Sequence, residues 1–284
     1  MLIFGCLALA LLLLWWYSLW SPRALLDIRS TRPLLLGHRG VRGSQPDNSL
    51  AAFQDAFAAG LDGIECDVQL SRDGALVLMH DTELLDSQGL DGQGLDGQGQ
   101  HTPVRTLTRH QLQQRDANII TLETLFDLAQ QYPHTLLNVE LKLPFDLTSW
   151  RYQLWGSRQL EQRVASCVSG YGLQGRVLIS SFHPWTLVRM RLAAPGLRVA
   201  LLGYNIPWWL AGLLHVDAIH PHHSKLDAAL FQRAKRIGLM VNSWTVNDDA
   251  EVKRLAALPV DGLVADNPEA LKQAAQAVLA SQQS

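Results

Sequence analysis

PDNSLAAFQDAFAAGLDGIECDVQLSRDGALVLMHD, residues 46–81, is the stretch that decides the fold. In SLAAFQDAFAAG, apolar residues recur at spacings of three and four, which predicts a helix. DGIECDV is a short apolar run opened by Asp-Gly and predicts a strand. ALVLMHD follows after only the turn SRDG; a parallel neighbour needs a crossover of a dozen or more residues, so this run must fold back as a hairpin or loop. Outward from here the alternation continues in both directions. With DGIECDV (62–68), strands read at LLLGH (34–38), LLNVELK (136–142), RVLISSF (176–182), RVALLG (198–203), VDAIHP (216–221), LMVNSWT (239–245) and DGLVAD (261–266). Helical stretches lie between them, such as DDAEVKRLAAL (248–258), whose leading aspartates suit a helix N-terminus. Eight strands alternating with helices predict an α/β fold, a TIM (β/α)₈ barrel, over residues 33–284. A chain of 284 residues holds one such barrel, which takes about 250, and no second domain.

A small insertion, 82–120, is expected after the second strand. Within it GLDGQGLDGQGQ (89–100) is too rich in glycine to bury a core and reads as a loop, and its aspartates lack the spacing and closing glutamate of an EF-hand. Lys and Arg total 24 against 26 Asp and Glu, a net charge of -2, so no broad positive field exists to hold nucleic acid. Cys6, Cys66 and Cys167 are far apart and form neither a disulfide framework nor a thiolate metal site.

Leu2 to Trp20 carries no charge, and as a helix it would be roughly 28 Å long, close to a bilayer core. Residues 1–22 are therefore expected to be a single-pass transmembrane anchor, retained because no basic n-region or small-residue cleavage site is present. Arg23, Arg29 and Arg32 follow the span and no basic residue precedes it, which predicts a cytoplasmic location for the globular part.

The chemistry gathers at the ends of the predicted strands, where a barrel opens its active site. His38 and Arg39 follow the first. Glu65 and Asp67, two apart on the second, point to one side, and Glu140 and Lys142 repeat that arrangement on the third. Neighbouring carboxylates repel unless a cation lies between them, and three of them without a thiolate suit one hard divalent ion, Mg²⁺ or Ca²⁺. His80, beside Asp81, adds a second imidazole. A cation, two histidines, and Arg39 with Lys142 as partners for an anion meet the needs of phosphate ester hydrolysis, one histidine taking a proton from the nucleophile and the other returning one to the leaving alcohol. His183, His220, His222 and His223 read as pocket lining or loop, and of these His183 is assigned with Trp244 to the substrate pocket.

The segments GHRG, residues 46–81, NVELK, SSFHP, VNSWTVND and DGLVADNP resemble, in order, the motifs of the glycerophosphodiester phosphodiesterase family. The resemblance implies a TIM barrel, metal-dependent hydrolysis to glycerol 3-phosphate and an alcohol, metal ligands at Glu65, Asp67 and Glu140, an acid–base pair at His38 and His80, and phosphate binding by Arg39 and Lys142. Trp244 matches a family aromatic that walls the pocket. Asp47 stands where the family more often has glutamate.

Aromatic residues crowd two predicted mouth loops, Phe145, Trp150, Tyr152 and Trp155 in one and Trp208 and Trp209 in the other. With an anchor nearby, they predict action on lysophospholipids at the membrane, as a lysophospholipase D. The alternatives are a soluble deacylated diester such as glycerophosphocholine or glycerophosphoethanolamine, or a catalytically inactive tethered binding module.

Overall fold

The computed structural model describes residues 2–23, 32–43, 45–86, 100–144, 158–256, 258–267 and 272–273. In chain order these form α1 (Leu2–Ser18), β1 (Leu34–Gly37), α2 (Leu50–Ala58), β2 (Gly63–Leu70), β3 (Leu76–Leu78), β4 (Glu83–Asp86), β5 (Gln100–Pro103), α3 (Arg109–Arg115), α4 (Leu122–Ala129), β6 (Leu136–Leu141), α5 (Arg158–Gly170), β7 (Val177–Ser181), α6 (Pro184–Ala193), β8 (Arg198–Gly203), α7 (Trp208–Leu213), β9 (Ala218–Pro221), α8 (Ala228–Arg236), β10 (Met240–Ser243), α9 (Asp249–Ala256) and β11 (Gly262–Ala265).

Among the described residues, β1, β2, β6, β7, β8, β9, β10 and β11 pair in parallel in that order, and β1 pairs with β11 to close the ring. The expected barrel is present. β3 runs back antiparallel along β2, matching Val68 to Leu78, as the short turn before it required. The 82–120 insertion opens with β4 and β5, paired antiparallel from Glu83–Pro103 to Asp86–Gln100. Most of the glycine-rich run between them, and Phe145, Trp150, Tyr152 and Trp155, lie outside the described residues.

The elements follow from local sequence. Ser49 caps α2 by accepting from the Ala52 N–H, and Ala52, Phe53, Ala56 and Phe57 are the face α2 buries. Thr121 and Asp227 cap α4 and α8 in the same way. On the strands, Cys66, Val68, Val139 and Ile179 join the layer between sheet and helices. Their sequence neighbours Glu65, Asp67 and Glu140 therefore face inward.

The transmembrane expectation is corrected. The apolar helix ends after 17 residues, at Ser18, and no helix among the described residues is long and apolar enough to cross a membrane. Its end is committed to the barrel. Trp16 donates from Nε1 to the Leu213 carbonyl at 2.9 Å and stacks on His215 at 4.0 Å, and Trp20 donates to the Val216 carbonyl at 2.8 Å. Arg23 then pairs with buried Asp217, which Arg191 also reaches at 2.6 Å. The helix packs tightly enough on α7 that a Cβ at Gly212 would collide with the Tyr17 ring. Leu11 to Trp15 remain exposed.

Candidate active site

At the C-terminal end of β1 the chain turns sharply at Arg39, whose φ of 54° directs its N–H to Glu65 Oε2 at 3.0 Å. Gly40 follows with φ 92°, and any Cβ there would collide with the Ala52 backbone, so the GHRG turn sits directly on α2. Side chains from this turn, β2, β6 and the last strands line a cavity of about 220 Å³ that includes His38, Arg39, Glu65, Asp67, His80, Glu140, Lys142 and Trp244.

Asp67 and Glu140 are register partners across β2 and β6. Glu65, Asp67 and Glu140 are all buried, and one oxygen from each lies within 4.8 Å of the others. Lys142 Nζ reaches Glu140 Oε1 at 2.9 Å and Asp67 Oδ1 at 3.4 Å, while Arg39 Nε is 3.3 Å from Asp67 Oδ2. The Arg39 Nη1 is held by Asp47 Oδ2 at 2.9 Å, so the shorter carboxylate at 47 still has a partner.

Burial, then repulsion from Asp67 and Glu140, raises the Glu65 carboxyl well above the ordinary range. Burial and Asp67 likewise push Glu140 to about 7. Asp67 is held low: burial opposes its charge, but Lys142, Arg39, His80 and the Asn48 amide together prevail. Oε1 of Glu65 is buried and takes no hydrogen bond among the described residues. An orphaned carboxylate oxygen facing two further carboxylates fits a divalent cation with hard oxygen ligands. Cys66 points the other way, into the core.

Both imidazoles are braced through Nδ1: His38 by Asp266 Oδ1 at 2.6 Å and His80 by Asp81 Oδ1 at 2.8 Å. Burial lowers the His80 pKa, Lys142 and Arg39 adding to the effect while Asp67 opposes it. The Trp244 ring lines the cavity, fixed by its Nε1 bond to the His220 carbonyl at 2.8 Å.

His183, read as substrate pocket, directly follows Phe182, which lines this cavity; it precedes α6, and its Nε2 lies 3.2 Å from the Leu143 carbonyl. His220 lines the cavity but is fully buried, which drives its pKa down to about 3 and keeps it neutral. His222 stacks on Tyr204 and His223 pairs with Glu251, so HPHH does not converge on a metal.

Sequence reasoning missed three residues. Asn48 donates to Asp67 Oδ2 at 2.9 Å and accepts from the Asp67 N–H at 3.1 Å. Asp266 braces His38, and Asn247 donates to Asp266 Oδ2 at 2.6 Å. A usable signal existed for Asp266: it ends the last strand as His38 ends the first, and ring closure makes those strands neighbours.

The sequence profile of the glycerophosphoryl diester phosphodiesterase family matches residues 38–270. The glycerophosphodiester phosphodiesterase of Caldanaerobacter subterraneus subsp. tengcongensis is 30% identical over 254 residues, covering 84% of this chain and 96% of that protein. In fold the chain is similar to a Silicibacter pomeroyi protein, with a TM-score of 0.76 at 24% identity, covering 86% of this chain and 93% of that one. An Oleispira antarctica phosphodiesterase solved with its product sn-glycerol-3-phosphate is similar at a TM-score of 0.67 and 25% identity, covering 86% and 96%. The family match takes in every cavity residue named above, from His38 to Trp244, and on that extent the chain belongs to the glycerophosphoryl diester phosphodiesterase family and is a phosphodiesterase.

Proposed function

We propose that the chain hydrolyses glycerophosphodiesters to glycerol 3-phosphate, or its acylated form, and an alcohol, with one divalent cation, Mg²⁺ or Ca²⁺, held by Glu65, Asp67 and Glu140. The observation that carries this is the triad of buried carboxylates within 4.8 Å, set beside two cationic side chains and two braced imidazoles. The ion, when bound, supplies charge stabilisation at a phosphoryl oxygen. Arg39 and Lys142 bind the remaining phosphate oxygens. His38 and His80, each held through Nδ1, have Nε2 left for the proton taken from the attacking hydroxyl and the proton given to the leaving alcohol. Replacing either histidine with alanine is expected to lower kcat by about 10²–10⁴-fold. Glu65→Gln should abolish cation binding in calorimetry. Full activity after complete chelation would overturn the proposal.

A narrower reading, that the substrate is a lysophospholipid at a membrane surface, is favoured by one further observation. Trp185, Tyr204 and Trp209 are 64%, 55% and 53% exposed, and each follows the C-terminal end of a barrel strand, where the cavity opens. The exposed turn Leu11–Trp15 offers a second apolar surface for the bilayer. Trp185→Ser with Trp209→Ser is expected to slow turnover of micellar lysophosphatidylcholine and to spare glycerophosphocholine; equal effects on both would remove the lipid reading. On this reading the exposed apolar side chains hold the barrel at the membrane surface, and we propose the cytoplasmic side. Labelling of a surface cysteine from outside intact cells would reverse that assignment.

A further inference from the structure

We propose that Asp266, itself oriented by Asn247, is a positioning residue that fixes His38 with its proton on Nδ1 and its Nε2 free toward the cavity. The inference rests on the acid–base role proposed for His38 and extends it to two residues outside the metal and phosphate set.

The geometry is over-determined. Asn247 Oδ1 accepts from the Asp266 backbone N–H at 2.9 Å, which fixes which end of that amide is oxygen and which is nitrogen. Its Nδ2 must then face Asp266 Oδ2, and does so at 2.6 Å. Only Oδ1 is left for His38, at 2.6 Å from Nδ1. An ionised carboxylate accepts and cannot donate, so the ring nitrogen facing it carries the hydrogen. The backbone holds the same register: the His38 N–H donates to the Ala265 carbonyl at 2.8 Å and the Arg42 N–H to the Asp266 carbonyl at 3.1 Å. His38 Nε2 is thereby turned to the metal side, 3.9 Å from Glu65 Oε2. The brace on His80 is of a different kind. Asp81 is its chain neighbour and its side chain is 75% exposed, so water competes for that bond, whereas the His38 and Asp266 side chains are 13% and 25% exposed.

The asymmetry of the Asn247 amide makes the inference testable by exchange. In Asp266→Asn the introduced amide must turn its carbonyl to Asn247 Nδ2 and its NH₂ to His38 Nδ1. The ring then has to accept at Nδ1 and carry its proton on Nε2. In the double variant Asn247→Asp/Asp266→Asn, the carboxylate at 247 still accepts from the backbone N–H and now also accepts from the introduced amide. That turns the amide carbonyl to His38 and restores the Nδ1 proton.

The expected result is a fall in kcat of about 10²-fold or more for Asp266→Asn with KM little changed, and recovery of at least about tenfold in the double variant. ¹⁵N NMR of the imidazoles, with the His38 signals assigned by their loss in His38→Gln, should show the Nδ1-protonated tautomer in the wild type and double variant and the Nε2-protonated one in Asp266→Asn. An unchanged tautomer and kcat in Asp266→Asn would overturn the proposal, as would a double variant no better than the single. The two claims separate cleanly. If His38→Gln keeps full activity, the acid–base reading fails, and the NMR tautomer still decides whether Asp266 positions the ring.

Discussion

Asn48 has no acid–base chemistry, yet Asp67 depends on it for two hydrogen bonds, one to the carboxylate and one from the backbone. It adopts φ 57°, a conformation asparagine tolerates better than most residues, and is buried. Asn48→Ala leaves the Asp67 N–H without its acceptor, an expected loss of about 1–3 kcal/mol by chemical denaturation. Because such groups orient ligands, cation affinity should also fall about 10–100-fold in calorimetry. The charged cluster was legible in the sequence because its signal is local: alternation along β2 and β6 fixes which side Glu65, Asp67, Glu140 and Lys142 face, and the barrel rule fixes which end is the mouth. Asn48, Asn247 and Asp266 were not, because their roles depend on partners from other elements, 19 and 228 residues away in the cases of Asp67 and His38.

At the scale of elements, the most informative joint is between α1 and the segment α7–β9. From sequence, α1 reads as a transmembrane anchor, because the groups it docks on, the carbonyls of Leu213 and Val216, have no sequence signature. Asp217 is what locks the joint. Its side chain is 2% exposed and takes bonds from Arg23, Arg191 and the Val199 N–H. Asp217→Ala would strand Arg191, which is only 17% exposed, and is expected to cost about 3 kcal/mol in urea unfolding. The same change should free the N-terminal segment, read as faster proteolysis between α1 and β1. Wild-type unfolding free energy in Asp217→Ala would show that the network contributes nothing.

For the whole molecule, Glu140 gives stability a dependence on pH. A carboxyl whose folded pKa is raised binds its proton more tightly folded than unfolded, so its effect is absent below the unfolded value and destabilising above the folded one. Glu140, moved from 4.5 to about 7, therefore makes the metal-free protein lose stability as pH rises through that window, by roughly 3 kcal/mol. In chelator, the thermal midpoint should fall between about pH 4.5 and 7, and a divalent ion should remove most of that fall. A chelated protein with a flat profile across this range would contradict it. Closure of the ring has another consequence. The GHRG turn and the DGLVAD strand, near opposite ends of the chain, meet only when β11 docks beside β1. A chain growing from its N-terminus thus makes His38 well before its brace. Until β11 emerges, the nascent chain lacks the carboxylate that meets His38 in the closed ring.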